Sequence, residues 1–270
     1  MPIVIHPACS HPPDNSLICR FMDFAKFRDL FANEELYFRR TDLFKESDPQ
    51  EGLASDEYVH AVRGYRRYEL RDELGLNNDQ AFARQISEAS FINCWQLFEE
   101  ETLNMWKTYG RGLAIFSRFE FLRAALSPML DNILLGTVRY GEKDTTGYNL
   151  IQFLYTKRRL FDKERELRIV LECHDPVAGV NRHYDSNNFP HREPLDDVNP
   201  LHEWVHPCKR RRIDLGALVT EIRLSPWATM DELDEVRTWV KNKAFSCSIT
   251  PSDLTSPVTP TLEELRKVGS

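Results

Sequence analysis

The segment from Lys157 to Leu171 changes character halfway along, and this change constrains the fold more than any other feature of the sequence. It begins as a basic run that is compatible with a helix, and it ends in the alternation typical of a β-strand. Read as extended chain from Glu164, the period of two places Glu164, Glu166 and Arg168 on one face. Apolar residues, starting with Leu167, occupy the other face. We therefore predict a strand that begins at Glu164 and carries two carboxylates side by side.

A pair of carboxylates beside several arginines has two interpretations. In a site, neighbouring guanidinium groups shift the pKa values of the carboxylates, and the group can hold a charged or sugar-bearing ligand. On a solvated surface, Glu164 and Glu166 would simply pair with nearby arginines. Those arginines are Arg158, Arg159 and Arg168. The charge pattern alone leaves both interpretations open.

Length and composition indicate a globular protein with a proper core. The chain has 270 residues, of which 41% are apolar, and no window approaches the roughly eighteen apolar residues of a membrane span. The N-terminus has no basic patch followed by an apolar run, so we predict no signal peptide and no membrane partner. Six cysteines without paired spacing indicate a reducing, cytoplasmic compartment. The net charge of -7 argues against nonspecific coating of nucleic acid.

Apolar periodicity and turn residues predict alternating strands and helices. The predicted strands are 17–22, 35–39, 90–95, 113–116, 137–140, 164–171, 204–206 and 218–224. The predicted helices are 24–33 with Asp23 as its N-cap, 57–90, 99–109, 120–130, 148–159 and 229–245. No inter-domain linker is visible, although 174–201 is a long functional or mobile loop. We predict a flexible lead-in over 1–16, one α+β domain over 17–248 and a peripheral tail over 249–270. The predicted domain has a mixed, split central sheet flanked by helices.

Three further features have a plain structural interpretation. His202 and His206 match the zinc-protease pattern H-E-x-x-H, but prolines flank the segment and favour extended chain. Extended chain would separate the two histidines by about 13 Å, at ~3.3 Å per residue, so we predict no metal site. Cys94 follows a buried run and is typical of a small core residue. The basic run Lys209 to Arg212 indicates a solvated face, or alternatively a phosphate or RNA contact.

Several short motifs occur in a characteristic order. They are Arg20-Phe21, Leu36-Tyr37-Phe38, Asp48-Pro49 with Glu51-Gly52, Cys94-Trp95, Met105-Trp106 with Tyr109 and Gly112, Lys157 followed by Phe161, Glu164, Glu166 and Arg168, and Glu221 to Pro226. In this order they resemble the bacterial family labelled domain of unknown function 2971, over Leu17 to Trp227. That family has no agreed activity, so the resemblance names no function.

A second resemblance is to the mono-ADP-ribosyltransferase-like fold. Its members place His or Arg on the first strand, a small polar or aromatic motif on a later strand, and Glu-x-Glu at the start of a strand later still. The corresponding positions are Arg20, the strand of Cys94 and Trp95, and Glu164-x-Glu166. Where members carry Ser-Thr-Ser or a tyrosine, this chain has Asn93-Cys94-Trp95-Gln96.

The second resemblance implies a role for each matching residue. Arg20 would bind the phosphates of NAD, Glu166 would be catalytic and Glu164 would position the acceptor. Trp95 or Tyr109 would stack on the nicotinamide, and Arg168 would help to bind the cofactor. The chemistry is sound, because a carboxylate stabilises positive charge at the anomeric carbon and an arginine binds pyrophosphate in a bidentate way.

The leading hypothesis is thus an NAD-using ADP-ribosyltransferase-like enzyme that performs ADP-ribosyl transfer or NAD glycohydrolysis. NAD would be its substrate, and a protein or nucleic acid would be the acceptor. In bacteria such an activity often serves as a toxin or an anti-phage defence effector.

Two alternatives remain open. One is a metal-dependent nuclease or RNA-binding protein that uses Asp48, Glu51, Glu164 and Glu166 as oxygen ligands and the run from Lys209 on phosphates. The other is a non-catalytic interaction module in which the two glutamates only form ion pairs with arginines.

Overall fold

The architecture of the chain is α+β with a mixed sheet, as seen in a computed structural model. The structure describes residues 10–46, 48, 51, 87, 89–141, 152–172, 207–243 and 245–254. Its strands are β1 (Leu17–Asp23), β2 (Glu35–Arg40), β3 (Ser90–Leu97), β4 (Gly112–Arg118), β5 (Asn132–Thr137), β6 (Arg139–Tyr140), β7 (Thr156–Lys157), β8 (Glu166–Glu172), β9 (Cys208–Arg212), β10 (Glu221–Leu224) and β11 (Ser248–Pro251). The α-helices are α1 (Phe24–Asn33), α2 (Leu103–Tyr109), α3 (Phe119–Leu126), α4 (Leu215–Leu218) and α5 (Met230–Asn242). Short 3-10 helices span Thr41–Glu46, Gln152–Tyr155 and Arg159–Glu164.

The chain divides into two compact units. The first comprises Met1–His11, Tyr37–Cys94 and Met129–Arg210, and the second comprises Pro12–Leu36, Trp95–Pro128 and Arg211–Ser270. Three of the limits fall inside strands, namely β2, β3 and β9, so each of these strands contributes residues to both units. The predicted limits of a single domain, 17–248, stay a prediction.

In the first unit β8 is a central strand. It pairs antiparallel with β5, from Asn132 opposite Glu172 to Thr137 opposite Leu167, and it also pairs with β3. β3 pairs antiparallel with β2, which has β9 as its other neighbour. The apolar core residues beside these strands are Ile92, Leu134, Phe153, Leu154, Tyr155 and Val170. The Gln152–Tyr155 helix thus supplies half of this core cluster, and β8 lies against it.

In the second unit β1 and β4 pair antiparallel along their whole length, from Leu17 opposite Arg118 to Asp23 opposite Gly112. A side chain at Gly112 would meet the Met22 carbonyl oxygen at 2.4 Å, so the close approach of these strands requires glycine. β10 adds antiparallel to β4, and β11 adds parallel to β10. Trp106 of α2 packs edge-on against Phe21 with ring centroids 4.7 Å apart, within the core of this unit.

A half-buried ion network holds the last described residues of the chain in the second unit. Glu101 accepts a hydrogen bond from Trp106 Nε1 at 2.6 Å and another from Ser252 Oγ. Its other oxygen lies 3.1 Å from Arg223 Nη1, and the Arg223 guanidinium lies 4.6 Å from the centroid of the Phe116 ring. The beginning of the predicted peripheral tail is therefore strand β11 and a segment hydrogen-bonded to the fold.

Most of the predicted strands are confirmed, and their apolar residues are buried in the core. β1, β2, β3 and β4 match the predictions within two residues. Helix α1 follows Asp23, whose carboxylate accepts a hydrogen bond from Lys26 N at 2.7 Å, as an N-cap does. Of the predicted flexible lead-in, residues 10–16 are held by hydrogen bonds: Thr137 N donates to Ser10 O at 2.8 Å, and Phe119 N donates to Ser16 O at 3.0 Å.

Two predictions about local structure are wrong, and one long strand was missed. The described part of the predicted 148–159 helix is a 3-10 helix followed by β7, because the Leu154 carbonyl is held by a side chain from β8. The strand predicted to begin at Glu164 begins at Glu166, because Arg165 adopts a left-handed conformation with φ 45°. Strand β5 was missed, and its residues Asn132–Thr137 pair with β8.

Several predicted segments lie wholly or mostly outside the described residues. They are the 57–90 helix apart from its last residues, the 174–201 loop, the 204–206 strand with His202 and His206, and the tail after 254. Within the described part of the chain, no helix is long and apolar enough to cross a membrane.

Helix α5 begins with a complete capping box. Thr229 Oγ1 accepts from Glu232 N at 3.3 Å, and the Glu232 carboxylate accepts from Thr229 N at 2.7 Å. We expect Thr229→Ala to lower the free energy of unfolding by about 1 kcal/mol in urea denaturation, because the backbone N–H of Glu232 loses its acceptor. Thr238→Ala, inside the same helix and exposed, is the matched control. It should leave stability unchanged or slightly raised, because its hydroxyl only bonds the carbonyl of Asp234.

Candidate functional site

A buried arginine is the centre of the candidate site. Arg168 lies on β8 in the first unit, and its side chain is 0% exposed. Its Nε donates to Glu166 Oε1 at 2.5 Å, and its Nη1 donates to the Leu154 carbonyl at 2.6 Å. Its Nη2 donates to Glu51 Oε1 and, at 3.1 Å, to Glu166 Oε2. All three nitrogens of the guanidinium group are thus engaged with groups of the protein.

Glu166 is the most completely paired carboxylate in the site. Besides its two contacts with Arg168, its Oε2 lies 3.3 Å from Lys157 Nζ, and the Cys94 thiol hydrogen-bonds it. Burial alone would raise the pKa of Glu166, but the charge and hydrogen bonds of Arg168, with Lys157, hold it at about 2. Only 4% of the side chain is exposed. Glu166 is therefore a buried anion at neutral pH.

Lys157 links three carboxylates. Its Nζ lies 2.6 Å from Glu164 Oε2, 3.3 Å from Glu166 Oε2 and 3.4 Å from Glu51 Oε1. Burial alone would lower the pKa of Lys157, but the charges of Glu166 and Glu51 raise it above its ordinary value. The ammonium group is therefore a fixed cation at the point where Glu164 and Glu166 meet.

Glu164 differs from the other carboxylates of the site because solvent reaches it. Its side chain is 37% exposed, and Lys157 supplies the ion pair at 2.6 Å. Burial of the remainder raises the pKa of Glu164, and the Lys157 ammonium opposes that rise only in part. A carboxylate with a raised pKa that is open to solvent is suited to accepting and returning a proton.

The backbone between the two glutamates sets this difference. The 3-10 helix Arg159–Glu164 ends with Arg165 in the left-handed conformation, and β8 begins at the next residue. Tyr140 Oη accepts a hydrogen bond from Glu166 N at 2.8 Å, which fixes the start of the strand. Glu166 consequently points into the unit, and Glu164 lies at its rim.

A second ion pair borders the site on the same unit. Arg158 Nη2 lies 2.8 Å from Asp48 Oδ1, and its Nε donates to Asp48 Oδ2 at 3.2 Å. The ring of Phe161 lies 4.8 Å from Lys157 Nζ and 5.3 Å from the Arg158 guanidinium. Phe161 is therefore within cation–π distance of both groups.

Cys94 lies at the edge of this cluster as a protonated thiol. Burial raises its pKa well above the ordinary value, and the negative charge of Glu166 adds to the rise. A thiol with a raised pKa forms little thiolate and is a poor nucleophile. This agrees with its interpretation as a small core residue.

The six residues expected to form an NAD site divide between the two units. Glu164, Glu166 and Arg168 lie in the first unit, where they contact Lys157 or each other, and Arg20, Trp95 and Tyr109 lie in the second. The register of β1 and β3 places Arg20 and Trp95 on the same face of the sheet. Arg20 is half-buried, Trp95 is 0% exposed, and Tyr109 is the last residue of α2.

Sequence reasoning placed Glu51 and Glu166 among possible metal ligands and missed Lys157 as their partner. Lys157 begins the basic run, nine residues before the start of β8, so the run itself contained the signal. Glu164 and Glu166 do form ion pairs, but Arg158 pairs with Asp48 instead. Among the described residues, no group of three or more His, Cys, Asp or Glu side chains is arranged to hold a metal ion.

Comparison of the sequence and structure with models of protein families, with curated proteins and with solved structures gives no significant match in any of the three. The function must therefore be argued from the geometry of the site.

The guanidinium group of Arg168 neutralises two buried carboxylates, so its removal should be costly. We expect Arg168→Met to lower the free energy of unfolding by about 3–5 kcal/mol in urea denaturation, because buried charges lose their partner. Arg237→Met is the control, since Arg237 forms an exposed pair with Asp234 on α5 and should change stability by at most about 0.5 kcal/mol. A loss below about 1 kcal/mol for Arg168→Met would contradict the central role of this residue.

The lowered pKa of Glu166 also predicts how stability depends on pH. The folded-state pKa, about 2, lies below the ordinary value of 4.5, so the ion pairs of Glu166 stabilise the fold fully above pH 4.5. This stabilisation is lost as the pH falls from there toward about 2. Urea unfolding across this range should show a smaller decline for Glu166→Gln than for wild type. Glu164→Gln should retain the wild-type decline, because the pKa of Glu164 is shifted upward. Parallel curves for wild type and Glu166→Gln would contradict this assignment.

Proposed function

We propose that the protein is an NAD-using enzyme of the ADP-ribosyltransferase-like type, which transfers ADP-ribose to an acceptor or hydrolyses the glycosidic bond of NAD. The observation that carries the proposal is the state of Glu164: a half-buried carboxylate with a raised pKa, held at 2.6 Å by Lys157 and open to solvent. Such a group can take a proton from an attacking hydroxyl or water as the glycosidic bond breaks.

The geometry favours Glu164 over Glu166 as the carboxylate that touches the substrate. Glu166 is buried and its oxygens are occupied by Arg168 and Lys157, so it has no direction left in which to bind a ribose hydroxyl. Its part in the reaction would be to position Lys157, which in turn positions Glu164. The order of the two roles is thus reversed from the expectation that the Glu-x-Glu resemblance suggests.

The inner charge of the site suits a developing cation. Glu51, Glu164 and Glu166 carry three negative charges when ionised, against two positive charges on Lys157 and Arg168, and all five groups are linked by contacts of 3.4 Å or less. A net negative charge fixed in a largely buried place stabilises positive charge that appears at the anomeric carbon in the transition state. No reorganisation of the protein is needed, because the contacts exist beforehand.

The outer charge of the site suits a pyrophosphate. Apart from the inner groups Lys157 and Glu164, the exposed charges from Arg159 to Arg165 are three positive ones and one negative one, which gives a net charge of +2. The positive ones are on Arg159, Lys163 and Arg165, in the same stretch of chain as Glu164. An anionic, sugar-bearing substrate such as NAD would be attracted to this rim.

The remaining parts of the proposal concern the second unit and the biological role. The NAD-binding roles that the resemblance implies for Arg20, Trp95 and Tyr109 stay predictions. For Trp95 the implied role requires a change that exposes its ring, which is buried in the structure. A role as a bacterial toxin or anti-phage effector would follow from consumption of NAD or modification of an essential acceptor.

The test is NAD consumption and nicotinamide release by the purified protein and by matched variants. We expect Glu164→Gln to reduce kcat on the order of a hundredfold or more with an unchanged thermal midpoint, because glutamine keeps the size but cannot take a proton. Asp162→Asn is the control, since Asp162 is exposed on the same 3-10 helix and should leave turnover within about twofold.

Two outcomes would count against the proposal. Folded wild-type protein that releases no nicotinamide, with or without added protein and nucleic-acid acceptors, would favour the non-catalytic interaction module. Full turnover in Glu164→Gln would show that the proton is accepted elsewhere. Loss of turnover in Glu166→Gln together with a lowered thermal midpoint would agree with its role in positioning Lys157.

A further inference from the structure

The basic run Lys209 to Arg212 is split by its strand into two faces. Lys209 on β9 is buried, and its ammonium group lies 5.2 Å from the centroid of the Phe91 ring. Arg210, the next residue, is exposed, and its guanidinium lies 5.6 Å from the centroid of the Tyr37 ring on the neighbouring strand β2. The run is therefore neither a uniform solvated face nor a uniform binding face.

Tyr37 is the centre of the exposed face in the first unit. Tyr37 is 37% exposed, because the alternation of β2 buries its neighbours Leu36 and Phe38 on one face and turns Tyr37 to the other. The Cys208 thiol is hydrogen-bonded to its hydroxyl, and Arg39 and Arg210 act on it electrostatically. We call this group of four residues, Tyr37, Arg39, Cys208 and Arg210, the Tyr37 surface.

The cations of the Tyr37 surface are held in place by other contacts. Arg39 Nη2 donates to the Leu43 carbonyl at 3.0 Å, and its guanidinium lies 5.5 Å from the centroid of the Phe44 ring. Arg210 rests over the Tyr37 ring itself. The hydroxyl of Tyr37 remains protonated at neutral pH, since burial raises its pKa and the neighbouring Cys208 adds to the rise. The surface thus combines two guanidinium groups with a neutral aromatic ring that is 37% exposed and that Arg210 covers on one side.

We propose that the Tyr37 surface binds single-stranded nucleic acid. Guanidinium groups bind phosphate oxygens through several hydrogen bonds, and an exposed aromatic ring stacks on an unpaired base. Both elements are present here within one surface. An acidic protein partner would use the guanidinium groups for ion pairs but would have no need of the exposed ring. The chain as a whole is acidic, with a net charge of -7, so the two arginines beside Tyr37 are a local feature rather than a property of the composition. Nucleic-acid binding at this place does not depend on NAD turnover.

Fluorescence anisotropy with a labelled oligouridylate of about a dozen nucleotides tests this proposal, over about 50–200 mM salt. Tyr37→Leu should raise Kd about tenfold with an unchanged salt slope, because the stacking contribution is lost. Arg210→Gln should reduce the slope of log K against log salt by about 0.7, because one phosphate contact is lost. Tyr37→Phe keeps the ring and should bind as wild type does. Arg123→Gln, an exposed arginine of the second unit paired with Asp14, is the control and should leave Kd unchanged.

Three results would overturn the proposal. The first is wild-type protein that does not bind the oligonucleotide even at the lowest salt. The second is a duplex of equal length that binds as tightly as the single strand while Tyr37→Leu has no effect, which would indicate attraction of any polyanion. The third is displacement of the oligonucleotide by polyglutamate at equal charge, which would indicate an acidic protein partner. Circular dichroism checks that Tyr37→Leu is folded, and if it is not, Arg210→Gln decides the question through the salt slope.

Discussion

The structure of the first unit depends on the buried positive charge of Arg168, which must be neutralised by other groups. A guanidinium group removed from water costs several kcal/mol unless carboxylates and carbonyls replace the lost hydration. Arg168 obtains these partners from three separate parts of the chain: Glu166 two residues before it, the Leu154 carbonyl and Glu51, which is 117 residues away. The need to neutralise this one buried cation therefore holds together the segments of Leu154, Glu51 and β8. The fold of this unit and the geometry of the candidate site have the same physical cause.

The same constraint separates the two glutamates of the Glu-x-Glu segment. Because the carboxylate of Glu166 is buried and hydrogen-bonded to Arg168, it cannot also contact a ligand. The glutamate that solvent and a ligand can reach is Glu164. The left-handed conformation of Arg165 makes this separation possible, and such a conformation is costly for a residue with a side chain. It persists because the ion pairs on both sides of it hold the turn. Local strain and the charged cluster are therefore two parts of one arrangement.

Sequence patterns predicted the parts of the fold that depend on local order and failed where distant contacts decide. β1 and β3 are apolar runs with few alternatives, and the Asp23 cap and the α5 periodicity are local signals. The composition of the basic run near Lys157 favours a helix. In the structure, however, Lys157 forms an ion pair with Glu166 on β8, and the Leu154 carbonyl accepts a hydrogen bond from Arg168 on the same strand. No pattern of residue spacing predicts that Glu51 forms an ion pair with Arg168. The residue type of Arg165 does not predict its positive φ either. The candidate carboxylates could therefore be named from the sequence, whereas their division into a buried and an exposed one could not.

Lys157 bears on the choice between metal-dependent and metal-independent chemistry at this site. Its ammonium lies within 3.4 Å of oxygens from three carboxylates, in the place that a divalent ion would need in order to share the same ligands. A tethered cation competes with a metal ion at high effective concentration and without the cost of association. Because the pKa of Lys157 is raised, its ammonium group remains charged at neutral pH and stays paired with the three carboxylates. Glycosidic chemistry requires a fixed anion and a proton acceptor, and it needs no metal. A two-metal nuclease requires carboxylates that are free to bind metal ions. Carboxylates paired with the Lys157 ammonium fit the first requirement better than the second.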